Sequence, residues 1–164
     1  MKKLVAILAL GFFVAACGGG NDTDKTNSET TSSTNASTED SKSESGNPSY
    51  DPKRGEGKFK DVDIPDNLDV SMATAGEKVY SVKCAGCHKL TDERLVGPGW
   101  KGVTMRHTPE WIMNFSTNTD EMLDKDPKAQ AQLEICLVRM PNQNLTDDDA
   151  RSVYEFMRQN DGVK

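Results

Sequence analysis

Residues 84–88 read Cys-Ala-Gly-Cys-His, and no other stretch restricts the fold of this chain so tightly. Two thiols three positions apart on a helical turn can add to the two vinyl groups on one edge of a porphyrin. An imidazole directly after the second thiol then turns a ring nitrogen under the iron. Cys84 and Cys87 are the expected covalent attachment points of one haem c, and His88 is its proximal ligand. Three other readings use the same residues. A zinc site could combine Cys84, Cys87, His107 and Cys136, but zinc ribbons usually draw on a second close-spaced ligand pair, which this chain lacks. A thioredoxin-like redox pair wants a βαβ context, whereas the flanking pattern here is helical. A disulfide across two residues suits an exported protein but leaves His88 without a role.

The start of the chain points outside the cytoplasm. Met1-Lys2-Lys3 is a positive n-region, and residues 4–16 form an apolar run broken only by Gly11. That run is too short to span a bilayer and has the length of a signal-peptide core. It ends Val14-Ala15-Ala16-Cys17, which resembles the lipobox of bacterial lipoproteins, so residues 1–16 are expected to be removed and Cys17 to carry the lipid. An ordinary signal peptide with a chance Cys is the alternative. Several acyl chains, at roughly 0.8 kcal/mol per buried CH₂, would hold such a protein firmly on a membrane. Residues 17–48 are almost wholly Ser, Thr, Asn, Asp, Glu, Lys and Gly, with no aromatic residue. Burial cannot offset their ordering entropy, so a disordered tether is expected, with a reach of roughly 35 to 40 Å to the start of the foldable part. Apolar residues return over 49–72 without a sustained period, as in an extended arm lying on a domain.

About 100 residues remain to build a core, enough for one small domain, 73–160, with 161–164 as a tail. Residues 61–164 carry 12 Lys and Arg against 18 Asp and Glu. That balance argues against nucleic acid and against docking onto acidic partners. The domain reads as all-helical, three to five helices with no alternating strand pattern. A helix over 73–84 enters the motif, with Gly76 and Tyr80 four apart, where a second helix can cross closely. Residues 89–106, rich in Gly97, Pro98, Gly99 and Gly102, read as a loop wrapping a ligand. Thr108-Pro109 and Asp126-Pro127 are helix starts, and the second helix is expected to run to Arg139 before Met140-Pro141 stops it. Cys136 is expected as a small buried hydrophobe in that helix. Leu145-Thr146 followed by three Asp opens the last helix, where the carboxylates complement the dipole.

Residues from about Gly76 to Gln159 resemble a class I cytochrome c domain, the matching landmarks being Gly76, Tyr80, the haem motif, Gly97-Pro98, Arg106, Met140-Pro141 and the closing helix. The resemblance implies that the Pro98 carbonyl accepts the Nδ1 proton of His88, that Arg106 lies near the haem propionates, and that Trp100 sits at the haem edge; core filling is the simpler reading for Trp100 and Trp111. Met140 is the expected sixth ligand, because Pro141 keeps it out of the α region and forbids helix continuation. His107 is the competing imidazole, and a five-coordinate iron is a further option. His/Met ligation implies an electron carrier rather than an enzyme: a lipid-anchored monohaem cytochrome on the periplasmic side. It would pass single electrons between a quinol-oxidising complex and a terminal oxidase or denitrification enzyme such as nitrous oxide reductase. The alternatives are a haem enzyme or gas sensor with a labile sixth ligand, and a structural subunit of a larger respiratory complex.

Overall fold

The computed structural model describes residues 50–164. The expected signal segment of 1–16, the expected lipid site Cys17 and the expected tether of 17–48 lie outside the described residues.

Among the described residues all regular structure is helical, apart from one isolated antiparallel bridge between His88 and Arg94. Helix α1, Val70–Val79, starts three residues ahead of the sequence expectation, because Asp69 caps it by accepting from the Met72 N–H. It then widens into a π turn, Tyr80–Cys84, closed by the Ala85 N–H on the Tyr80 carbonyl at 2.9 Å. Helix α2 is a single turn, Val103–Arg106. Helices α3, Pro109–Thr117, and α4, Thr119–Lys125, lead into α5, Pro127–Cys136, and α6, Asp147–Asn160, closes the fold.

The packing of α1 across α6 is the most extensive helix pair. Gly76 makes it possible: a Cβ there would lie 2.0 Å from the Ser152 carbonyl oxygen and 2.9 Å from Phe156 Cβ. Thr146 and Asp149 form a capping box at the start of α6, whose inner face buries Ala150, Val153, Phe156 and Met157. These meet Trp111, Ile112 and Met113 of α3 and Met122 and Leu123 of α4 in one core.

Residues 50–69 have no regular structure, yet their backbone is bonded to buried side chains of the helices. Asn114, fully buried, accepts from the Phe59 N–H at 3.0 Å and donates to the Arg54 and Phe59 carbonyls at 2.9 Å each. Glu110 accepts from the Val62 N–H, and Arg158 donates to the Pro65 and Asp66 carbonyls. Phe59, Val62 and Ile64 fill the core margin between these points. Beyond α6, Asp161 accepts from the Gly102 N–H at 2.5 Å and the Thr104 N–H at 2.9 Å, which fixes the single turn of α2.

Helix α5 ends earlier than its apolar residues imply. Leu137 takes a left-handed conformation, φ 59°, and stops the helix at Cys136. Ile135 and Val138 are therefore 65% and 53% exposed, and Cys136 is only half-buried rather than a core residue. Apolar character alone did not reveal this, since Ile135 and Cys136 end a short helix and Val138 lies in the loop beyond it, all at the rim of a cavity.

Candidate haem site

Burial raises the Cys84 thiol, with Lys83 opposing and Cys87 reinforcing, to about 11. A thiol held protonated is a poor disulfide exchanger. Among the described residues no group of three or more His, Cys, Asp or Glu side chains is placed to hold a metal ion, so the zinc reading of Cys84, Cys87, His107 and Cys136 loses its ligand set. The redox-pair reading lacks its βαβ frame.

The π turn and the 84–88 turn that follows bring Cys84, Cys87 and His88 to one cavity of about 330 Å³. His88 Nδ1 lies 2.9 Å from the Pro98 carbonyl oxygen. A carbonyl only accepts, so Nδ1 carries the proton and the Nε2 lone pair is left for a metal. Burial lowers the pKa of His88, with the Pro98 bond opposing, and the ring therefore stays neutral as a ligand must. The ring is clamped from a second side by Gly97, where a Cβ would lie 2.3 Å from His88 Cε1. Behind it Trp100, 6% exposed, sits 5.6 Å from the imidazole and 4.9 Å from Tyr80, ring to ring. Tyr80 donates to the His88 carbonyl at 2.8 Å, so the motif is held at both ring and backbone.

Met140 and Pro141 line the same cavity, brought there by the loop after α5, and Lys83 ties that loop to the motif by donating to the Gln143 carbonyl at 2.8 Å. Ile112, Phe115, Val153 and Met157 supply an apolar lining. All seven sequence-expected haem residues, Cys84, Cys87, His88, Pro98, Trp100, Arg106 and Met140, thus meet at one cavity. Arg106 commits its guanidinium to loop carbonyls, donating to Lys101 at 2.5 Å and Gly99 at 3.1 Å.

The cavity fits a haem by its donor set: two thiols, a neutral imidazole with a free Nε2, a thioether and apolar walls. Residues 73–161 match the family model for cytochrome c. The chain belongs to the cytochrome c family. Its helical fold is shared with cytochrome c from Rhodothermus marinus, which is 31% identical with a TM-score of 0.62 over 64% of this chain and 90% of that one. An engineered R. marinus cytochrome c is 30% identical with a TM-score of 0.61. Another solved structure of the engineered protein, bound to a carbene intermediate, is 30% identical with a TM-score of 0.59. Both cover the same shares of the two chains. No curated protein matches the chain. As a class I c-type cytochrome the protein carries one covalently attached haem c and serves haem-based electron transfer. Sequence reasoning passed over Gln132 and Leu145 in the cavity wall, because neither residue type signals a ligand.

Proposed function

We propose that this cytochrome is a lipid-anchored, periplasm-facing carrier whose haem iron is held between His88 and Met140. It passes single electrons from a quinol-oxidising complex to a terminal oxidase or a denitrification reductase such as nitrous oxide reductase. One observation carries the ligand assignment: His88, its Nδ1 bonded to Pro98, shares a cavity with Met140 on the loop between α5 and α6. When bound, haem supplies a one-electron iron couple. Cys84 and Cys87 tether it, His88 donates Nε2, and Met140 offers a neutral thioether, which favours the less charged ferrous state and raises the potential. Ile112, Phe115, Val153 and Met157 exclude water, so little solvent reorganises on electron exchange.

Met140→Ala tests the assignment. The ferric variant should lose the weak near-infrared methionine-to-iron band and its reduction potential should fall; a band intact in the variant refutes Met140. Cys17→Ser tests the anchor. The variant should leave the membrane fraction, and retention there would refute lipidation at Cys17. Pull-down from membranes identifies the donor and acceptor. A second reading, a haem that binds small molecules at a labile sixth position, draws on the engineered R. marinus relative bound to a carbene intermediate. Carbon monoxide binding by the reduced wild type at neutral pH would favour it.

A further inference from the structure

Met140 sits on the loop between α5 and α6, and residues 138–145 of that loop make no backbone–backbone hydrogen bond among the described residues. Leu137 and Val138, at its start, are exposed. Cationic side chains hold the loop instead. Arg94, from the segment after the haem motif, donates to the Ile135 carbonyl at 2.6 Å, and Lys83 donates to the Gln143 carbonyl at 2.8 Å, so both ends are tied. Between them Arg139 turns its guanidinium to α4. Its Nη2 lies 2.9 Å from Asp124 Oδ1, 3.2 Å from the Asp120 carbonyl oxygen and 3.4 Å from Asp120 Oδ1. Helix α4 is a firm platform, because Met122 and Leu123 bury it in the core. Asp120 and Asp124 stand one turn apart on it, a spacing at which two carboxylates repel. Lys125, the neighbouring cation on α4, is paired with Glu121 at 3.2 Å, so Arg139 is the partner of both aspartates.

We propose that Arg139 is the positioning residue for the sixth iron ligand: clasped by Asp120 and Asp124, it holds the adjacent Met140 in the cavity, and release of the clasp opens the sixth position to an external ligand. This rests on Met140 being that ligand. Arg139 and Met140 share one rigid peptide unit, so a displacement of the Arg139 backbone carries the thioether with it. The clasp lies at the surface, with the Arg139, Asp120 and Asp124 side chains 44%, 65% and 62% exposed. An ion pair in that setting is weak and is screened by salt. Ligation by Met140 is therefore conditional on ionic strength, which a loop packed down by apolar side chains would not show. Two carboxylates and a carbonyl gripping one guanidinium restrict it more than a single pair would, and this is what makes the clasp specific to the position beside the ligand.

The test titrates the ferric holoprotein with free imidazole at about pH 8, where imidazole is neutral. An imidazole lone pair replaces the Met140 thioether lone pair on the iron, with no electron or proton exchanged, and the near-infrared methionine-to-iron band disappears. Arg139→Gln should bind imidazole about three- to tenfold more tightly than wild type, the scale of losing one or two exposed ion pairs. The double variant Asp120→Asn, Asp124→Asn alters α4 alone and should do the same. A field effect at the iron would move these two variants in opposite directions, since one loses a cation and the other two anions. About 1 M salt, where the Debye length is about 3 Å, should strengthen imidazole binding by wild type and leave both variants unchanged. Wild-type affinity in the variants, opposite changes, or a salt-independent wild type overturns the proposal. A band that survives in Met140→Ala refutes Met140 ligation and this inference with it; a band lost there, with wild-type affinity in the clasp variants, refutes the inference alone. Trypsin reads the clasp without the iron: the double aspartate variant should be cut after Arg139 faster than wild type. An unchanged rate, or faster cutting at every site alike, also overturns it.

Discussion

Gly97 and His88 approach so closely that a methyl group on Gly97 would stand 2.3 Å from the imidazole Cε1 and 2.8 Å from Nδ1. The proximal ring is thus fixed by a hydrogen bond on one side and by an absent side chain on the other. Gly97→Ala must push the ring off the Pro98 carbonyl or move the loop, at a cost of about 1–3 kcal/mol. The variant should bind haem covalently but lose the wild-type low-spin visible spectrum, and its melting temperature should fall. An unchanged spectrum would show that the loop yields instead.

Gly76 is the corresponding point in the scaffold. Its Cβ would collide with the Ser152 backbone oxygen, which cannot rotate away as a side chain would. Gly76→Ala should separate α1 from α6 and destabilise by about 1–3 kcal/mol or more. Urea denaturation followed by far-ultraviolet circular dichroism reads this as a lower midpoint.

Glu155 is fully buried and accepts from the Asp69 N–H at 2.8 Å, Arg158 at 2.7 Å and Arg151 at 2.5 Å. Burial alone would raise its pKa, but the Asp69 amide and the two guanidinium groups outweigh it and hold the carboxyl below its ordinary value. A lowered folded value stabilises the fold above the unfolded glutamate pKa, about 4.3, and that contribution fades as pH falls through the folded value. Glu155→Gln leaves Arg158 buried without its charge partner and should cost about 3–5 kcal/mol at neutral pH. The gap to wild type should narrow on acidification, which thermal melts across the acid range would measure.

Tyr50 donates to the buried Asp126 carboxylate at 2.7 Å, joining the 50–69 segment to the cap of α5. Burial and the Asp126 charge raise the phenol pKa, so it remains a donor throughout the working range. Tyr50→Phe removes a hydrogen bond to a charged group, about 1.5–3 kcal/mol. Limited proteolysis within 50–60 should speed up while the reduced haem spectrum stays unchanged.

The chemistry of this protein was written locally. Cys84, Cys87 and His88 are consecutive enough for one turn to present them. Thr108-Pro109, Asp126-Pro127 and Thr146 announce helices because capping is decided within four residues. Helix α4 carries no such sign: Asn118 makes no side-chain cap, and the burial of Met122 and Leu123 holds the turn. The stop at Leu137 was equally hidden, since nothing in its residue type favours a left-handed conformation. What only the tertiary structure decided are the meetings across long stretches of chain: Gly76 under Ser152, Asn114 inside the 54–59 backbone, Asp161 on α2, and His107 against Gln132. Such pairs are fixed by how helix faces dock and which polar atoms must find partners when water leaves. Neither condition is expressed in any short window of sequence.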